Sequence, residues 1–532
     1  MDVGQLVQRA AHRFADRVAL EGPEGLRTFA ELGDRVTRIA RGLQGLGLQP
    51  GDRLLDLQTN SLTSVETDLA IRAAGLVRVA LNHRLHPDDW ARIADDSGAA
   101  ALVYDARFAD ATEALRDGVG ASRVVAVGAG DTGGAGGTPL HRLVEASSSG
   151  PLPALDDTAL CGLHYSSGTT GYPKGAQRTH RNWFASVVNM TTDVLGGPPT
   201  ATDVYAHAGP VTHTSGLFLL PFLVAGARQL VMPRWDAEEF LDAVRHRGVT
   251  HAAMVPTMVA RLLALPEVDR GATAGLKMLG YAGAPMPVEQ MRQAYDRLTP
   301  HLVQYYGLVE AIPPVTLLDA EDHARGLFDS PDLLTSAGRP ALGVEIAVRD
   351  DLGVPLPPGE VGEVVTRGDH VMRGYWRAGE RDDLGKSVVD GWLHTGDLGR
   401  LDASGRLWLV DRKGDMIISG GYNIYPREVE DVIAEVPGVA EVAVVGMDDP
   451  DWGQRVTALY TAADGASVSA EDVLAHCATR LASYKKPKDV RRVDAFPLNA
   501  TGKIAKTVLR ERLRDEAPGD RPQGAARHGE SA

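Results

Sequence analysis

Short apolar runs alternate with amphipathic helical stretches through roughly the first three-fifths of the chain, and this rhythm admits few architectures. DRLLDLQ (52–58), LVRVALN (76–82) and AALVYDA (100–106) read as strands, with helical patterns between them. FAELGDRVTRIARGLQGLG (29–47) predicts an amphipathic helix closed by Gly45 or Gly47. The same strand-then-helix order returns in QLVMP with DAEEFLDAVRHRG, and in HAAMVP with TMVARLLALP. Such alternation predicts an α/β fold with a largely parallel sheet. From about residue 335 the texture changes: IAVRDDLGVPLPPGEVGEVVTRG predicts a small β-rich subdomain. After residue 411 an α/β pattern resumes, with EVEDVIAEVPGV as helix and AEVAVVGM as strand. Domains are therefore expected at 1–411, including the β-rich part at about 335–411, and at 412–514, with a disordered polar tail at 515–532.

Charge and cysteine content exclude several classes. The 532 residues carry 55 Lys+Arg against 70 Asp+Glu, a net −15, which argues against nucleic acid or an anionic membrane as partner. Only Cys161 and Cys477 are present, too far apart for a thiol zinc site or a disulfide framework. No stretch approaches the roughly 18 apolar residues of a membrane span, and the N-terminus lacks an uninterrupted apolar region, so a soluble cytoplasmic protein is expected. Val124–Gly133 contains a GxGxxG, but Gly134–Pro139 follows where a dinucleotide site needs a helix start, so it reads as a loop.

Chemistry concentrates in Tyr165-Ser-Ser-Gly-Thr-Thr-Gly-Tyr-Pro-Lys-Gly175. Glycines bring backbone N–H groups close to a phosphate chain, hydroxyls donate further hydrogen bonds, and Lys174 supplies positive charge. The pattern GxxxxGK[ST] cannot be aligned on it, so this is a phosphate cradle of another kind.

That segment resembles the phosphate-binding loop of the adenylate-forming superfamily, which includes acyl- and aryl-CoA synthetases. Further segments resemble its signatures in order: Tyr281-Ala-Gly-Ala-Pro285, Tyr305-Tyr-Gly-Leu-Val-Glu310, Gly391-Trp-Leu-His-Thr-Gly-Asp397, Asp411-Arg-Lys-Gly-Asp415, Ser419-Gly-Gly-Tyr422 and Asn499-Ala-Thr-Gly-Lys503. The resemblance implies an ATP- and Mg²⁺-dependent acid–CoA ligase with a large N-terminal region and a mobile C-terminal domain. It implies that Ser166, Ser167, Gly168, Thr169, Thr170, Gly171 and Lys174 hold phosphates, with Glu310 and Thr170 on Mg²⁺. Lys503 would bridge carboxylate and α-phosphate. Tyr306 would stack on adenine beside Gly283, Ala284 and Pro285, and Asp397 and Arg412 would meet the ribose. His213 would border the acyl site and the passage to the thiol. The acyl pocket would draw on Trp183, His207, Val211, Gly216, Gly307, Leu308 and Ile312, with Gly307 leaving depth for a hydrophobic carboxylate. Ser419, Gly420, Gly421, Tyr422, Trp452, Tyr484, Lys486 and Lys488 match positions that meet coenzyme A in relatives.

Two positions depart from the pattern. Val309 stands where relatives usually carry Thr, whose hydroxyl reaches the α-phosphate. Losing that bond costs about 1.5–3 kcal/mol, and the loss falls on adenylation if the bond tightens in the transition state. One reading is therefore an enzyme with a weakened first half-reaction that accepts acyl-adenylate made elsewhere. Intact Glu310, Lys503 and the phosphate loop favour a complete ligase. Gly414 stands at the hinge position where relatives often have Asp or Lys, and leaves rotation free. Acyl transfer to a carrier-protein phosphopantetheine, a non-catalytic adenylate binder and a homodimer remain open at this point.

Overall fold

The computed structural model describes residues 1–516 except 121–122, 128–136, 167–173, 378–386, 420–421, 464 and 499–503. Packing divides the chain into two compact units: residues 1–395 with 399–409, and residues 396–398 with the chain from Val410 onward. The predicted α/β architecture is observed. In place of one largely parallel sheet, the larger unit holds two mostly parallel sheets and a third, smaller β-sheet. A chain of this length exceeds what one hydrophobic core spans.

One sheet has seven strands, in the order Thr138–Pro139, Val124–Val127, Ala101–Asp105, Arg53–Leu57, Val77–Ala80, Leu160–Ser166, Lys174–Thr179. Its strands run parallel except the last, which pairs antiparallel with Leu160–Ser166 and sets Ser166 opposite Lys174. The glycine-rich segment therefore joins two antiparallel strands rather than a strand and a helix. The other sheet has nine strands, with a parallel middle of Val18–Gly22, Arg228–Val231, Val204–His207, His251–Met254, Met278–Tyr281 and Leu302–Leu308. Ala311–Leu318 returns antiparallel to Leu302–Leu308, so Val309 and Glu310 occupy the reversal between them.

The predicted helix forms over Phe29–Gly45, where Thr28 and Glu31 make a reciprocal capping box. Its apolar face, Phe29, Leu32, Val36, Ile39, Ala40 and Leu43, is buried, and Gly47 beyond it has φ +82°. The β-rich expectation is met by a five-stranded sheet containing Glu345–Arg349, Gly362–Arg367 and Trp392–Leu401.

The smaller unit is built on Val439–Asp449 paired with Gly453–Ala462. Alternation along these strands feeds two apolar layers. Val444, Val456, Ala458 and Tyr460 pack with the helices Pro426–Ala434 and Ala470–Arg480 through Val429, Ile433, Val473 and Cys477. Ala443, Val445, Met447 and Leu459 pack with Leu509 and Leu513 of the helix Lys506–Glu516. That helix takes in Asp515 and Glu516, two residues expected in the tail. Residues 517–532, like the GxGxxG loop, lie outside the described residues. No helix among the described residues is long and apolar enough to cross a membrane.

Candidate active site

Lys174 opens its strand half-buried, with Nζ 5.9 Å from the centroid of the Tyr375 ring. The strand is fixed against residues 373–376 from both sides. Gln177 N–H donates to the Gly374 carbonyl at 3.0 Å, Arg373 N–H donates to the Gln177 carbonyl at 3.0 Å, and Trp376 N–H to the Gly175 carbonyl at 2.8 Å. A Cβ on Gly175 would stand 2.8 Å from the Tyr165 ring, so only glycine permits this approach. The Tyr375 hydroxyl then donates to Glu310 Oε1 at 2.5 Å. Tyr375 thus links Lys174 to Glu310, the residues expected to meet phosphate and metal. Sequence reasoning missed it; the available signal was the aromatic pair Tyr375-Trp376 directly after Gly374. Ser167, Gly168, Thr169, Thr170 and Gly171 lie outside the described residues.

The Val309–Glu310 reversal is held by Arg178, which donates to the Val309 carbonyl from Nε at 3.3 Å and from Nη2 at 2.8 Å. The Val309 side chain packs against the apolar core. Arg178 is buried; desolvation, then the neighbouring Arg72, push its pKa down to about 9, while Glu310 opposes them. Tyr306 is half-buried and packs on the same core, whereas Tyr305 is fully buried with its ring 6.2 Å from Phe218. Gly283 has φ +88° and, with Ala284 and Pro285, is exposed at the end of the buried strand Met278–Tyr281. That strand end is braced: the Tyr281 hydroxyl donates to His323 Nε2 at 2.9 Å, and His323 Nδ1–H donates to the Asp319 carbonyl at 2.7 Å. Burial holds the His323 pKa near 4, so the ring is neutral and keeps this tautomer.

Several expected pocket residues sit differently from the sequence reading. His207 is fully buried, bonded to Ser215 Oγ and Gln229 Oε1 at 3.0 Å each, and is a core histidine rather than a pocket wall. Gly307 leaves no depth, because the Pro313 ring occupies that space, 2.6 Å from where a Cβ would be. Gly216 serves a backbone approach, with the Val211 carbonyl 1.9 Å from a notional Cβ. Val211, Ile312 and Trp183 are buried, and Leu308 is half-buried. His213 is exposed and bonded to Thr212 Oγ1 at 2.8 Å. Desolvation, then the positive fields of Arg84, His83, Arg78 and Arg178, lower its pKa.

In the smaller unit Asp397 is buried and accepts from Arg412 Nε at 3.2 Å, and Gly396 before it has φ +72°. Asp411 receives the Arg412 N–H at 2.7 Å and the Arg427 N–H at 2.9 Å, which anchors the chain after residue 410 to the start of the helix Pro426–Ala434. Ser419 is buried; Gly420 and Gly421 are outside the described residues, as is Lys503. Tyr422 and Tyr484 stack at 4.7 Å, and Lys488 Nζ lies 5.0 Å over the Trp452 ring. All four are exposed, while Lys486 is half-buried.

Whether Mg²⁺ suits these residues turns on the donor set. No group of three or more His, Cys, Asp or Glu side chains able to hold a metal occurs among the described residues. Glu310 is a single carboxylate oriented by Tyr375, and one carboxylate plus nucleotide phosphates and water suits Mg²⁺, which seldom uses an all-protein cage.

Comparison with known proteins agrees with these motifs. Residues 7–376 match the family model described as AMP-binding enzyme, and residues 428–503 match the AMP-binding enzyme C-terminal domain. A feruloyl-CoA synthase of an Amycolatopsis species is 38% identical over 490 residues, covering 91% of this chain and 94% of that protein. An indoleacetate–CoA ligase of Aromatoleum aromaticum is 32% identical, covering 96% of this chain and 98% of that protein. Among solved structures, ATP-bound MatB of Rhodopseudomonas palustris superposes with a TM-score of 0.86 at 30% identity, covering 97% of this chain and 99% of that one. An o-succinylbenzoate CoA synthetase of Bacillus subtilis with its acyl-adenylate gives 0.81 at 29%, covering 99% of each. The chain belongs to the AMP-binding enzyme family, within the adenylate-forming superfamily.

Proposed function

We propose that this protein is an AMP-forming acyl-CoA synthetase that joins a hydrophobic carboxylate to AMP, expels pyrophosphate, and passes the acyl group to the thiol of coenzyme A. The observation that carries the reading is Tyr375, which places its ring beside Lys174 and its hydroxyl on Glu310 within one unit. A lysine for phosphate and a carboxylate for a hard cation are what the meeting of two anions requires. Mg²⁺, when bound, would screen the phosphates and polarise the α-phosphate. Glu310 is the residue to hold it, with Thr170 as a second oxygen donor. Lys174 neutralises phosphate charge, with Thr169 and its neighbours donating hydrogen bonds. Gly283–Pro285 and Tyr306 offer a surface to adenine, Asp397 and Arg412 one to the ribose hydroxyls, and Lys503 bridges the two reactants. His213 is neutral at pH 7 and borders the acid without repelling or attracting it by charge. Tyr422, Tyr484, Trp452, Lys486 and Lys488 form aromatic and cationic surfaces suited to pantetheine, adenine and phosphate. Closure of the C-terminal domain from residue 412 would bring Ser419–Tyr422 into play for the second step.

A second reading draws on Val309: its side chain packs into apolar core and its carbonyl is taken by Arg178, so no hydroxyl is available at that reversal. Under that reading the enzyme takes acyl-adenylate from another source. The purified protein, given Mg-ATP, CoA and a panel of acids, is expected to release pyrophosphate and AMP and form a thioester. Thioester from synthetic acyl-adenylate without pyrophosphate exchange would select the second reading. Transfer to a holo-carrier protein in preference to CoA would reject free CoA as acceptor.

A further inference from the structure

Next to the Val309 reversal lies a group of buried donors that the proposed reaction does not use. Trp183, in the helix His180–Asn189, is 7% exposed, and its Nε1–H is buried without a hydrogen-bond partner among the described residues. His164, in the strand that leads into the phosphate loop, has a buried Nδ1 likewise without a partner, and its ring lies 5.9 Å from that of Trp183. The Arg178 guanidinium lies 5.7 Å from the centroid of the Trp183 ring, and the residue is 6% exposed. Its Nε and Nη2 are spent on the Val309 carbonyl, and Nη1 has no partner among the described residues.

The charges around this group are unequally paired, with Glu310 acting on Arg178 only from beyond ion-pair distance. Buried Asp56 and Asp68 are taken by Arg78 at 2.6 and 3.2 Å, and Asp68 also by Arg72 at 2.8 Å. Arg72 stacks 4.1 Å over the Trp183 ring. Arg178 is the third guanidinium of the cluster and has no carboxylate within ion-pair distance among the described residues. Arg178 keeps a spare donor near a buried indole N–H, and a buried N–H is costly unless something accepts from it. Protein elements that carry the proposed acyl pocket converge here: Arg178 grips the Tyr305–Glu310 segment, and Ser186, one turn after Trp183, donates to the Pro313 carbonyl at 2.9 Å.

We infer that the acid this enzyme activates carries a second hydrogen-bond-accepting oxygen, remote from the reacting carboxyl, and that Trp183 Nε1, Arg178 Nη1 and His164 receive it. The inference deepens the ligase reading and rests on it. The acceptor is a distal carboxylate or a neutral oxygen such as a phenol or carbonyl; the unpaired Arg178 favours the anion.

The test uses the full chain and acids in matched pairs, each with and without a distal oxygen: heptanedioic against heptanoic acid for the anion, and 4-hydroxyphenylpropenoic against phenylpropenoic acid for the neutral group. Thioester formation is expected to favour the oxygen-bearing member of one pair by about tenfold or more in kcat/KM. The pair that shows it identifies the kind of oxygen. In Trp183→Phe, which keeps a ring beneath Arg72, the ratio is expected to fall to within about threefold, and likewise in Arg178→Met. A ratio is insensitive to a general loss of folded enzyme. Equal rates within both pairs, or a preference that survives both substitutions, would overturn the inference. Should no acid yield thioester, the ligase reading is what fails. Calorimetric binding of the same pairs in the presence of AMP then decides the inference separately, unequal affinity supporting it and equal affinity overturning it.

Discussion

The two units of this enzyme differ in where they keep charge. The larger unit buries it: Asp56, Asp68, Arg72, Arg78 and Arg178 are all buried, and its histidines at 207, 251, 323 and 370 are enclosed and neutral. The smaller unit, apart from buried Asp397, mostly displays it: Lys488 lies over an exposed Trp452, Tyr422 stacks on Tyr484 in solvent, and its one described histidine, His476, pairs with Glu435. Under the proposed function, rigid, desolvated charge suits a unit that fixes a small acid and a triphosphate. Screened, adjustable charge suits a surface that meets a long, flexible thiol carrier.

Acid is the broadest way to break this contrast. Burial holds His207, His251, His323 and His370 near pKa 4, below the usual value near 6.5 for an unfolded chain. The unfolded chain therefore binds more protons between these values. The stability these histidines contribute is complete above pH 6.5 and is lost as pH falls toward 4, by up to about 1.4 kcal/mol per histidine per pH unit. Tryptophan fluorescence reports chiefly on the larger unit, which holds Trp90, Trp183, Trp235, Trp376, Trp392 and Trp408. Its unfolding temperature is expected to drop steeply across that window, and a flat profile would contradict the buried, neutral assignment.

A single change should do nearly as much. Asp68→Ala removes the carboxylate that Arg72 and Arg78 share, and is expected to cost about 3–5 kcal/mol in urea unfolding of the larger unit. Equivalent loss of a surface partner in the smaller unit, Glu435→Ala opposite His476 and Arg480, should cost no more than about 1 kcal/mol.

At the reacting centre the expected effect is kinetic. Tyr375→Phe deletes one hydroxyl and keeps the ring beside Lys174. Losing a bond to a charged group at 2.5 Å is expected to lower pyrophosphate exchange by about 10- to 100-fold, the equivalent of about 1.5–3 kcal/mol. Thioester formation from supplied acyl-adenylate should fall much less. Equal losses in both assays would mean that Tyr375 supports the fold rather than Glu310.

These sites were unequally legible in the sequence. Lys174, Glu310 and Asp397 stand in contiguous motifs whose residue types announce their chemistry, and the strands and helices around them follow from periodicity. Tyr375 and Arg178 escaped because their partners, Glu310 and Val309, lie 65 and 131 residues away. No local pattern encodes such contacts. His207 and Gly307 were misread for the converse reason. A histidine in a motif looks available until Gln229 and Ser215 are seen to satisfy it, and a glycine looks like space until Pro313 is seen to fill it.

On the displayed surface the effects should be small and salt-dependent. Trp452→Ala removes the ring beneath Lys488, an exposed contact of the kind worth about 0.5–1 kcal/mol. The KM for CoA is expected to rise about two- to fivefold, with pyrophosphate exchange unchanged, and the rise should shrink as ionic strength increases. A larger effect on pyrophosphate exchange than on the KM for CoA would remove Trp452 from the thiol-carrier surface.

The smallest effect is expected at Gly414, a few residues inside the smaller unit. A Cβ there meets no atom within 4 Å, and its φ is not in the left-handed region. Alanine therefore fits this conformation without strain, and by restricting the unfolded chain it should change stability by only about 0.4–1 kcal/mol, in the stabilising direction. If the chain pivots at 414 through backbone angles that alanine also reaches, both half-reactions should keep their rates within about twofold. The informative failure is selective: intact pyrophosphate exchange with slowed thioester formation would mean that the second conformation needs a backbone angle open only to glycine, which would locate the pivot at this residue.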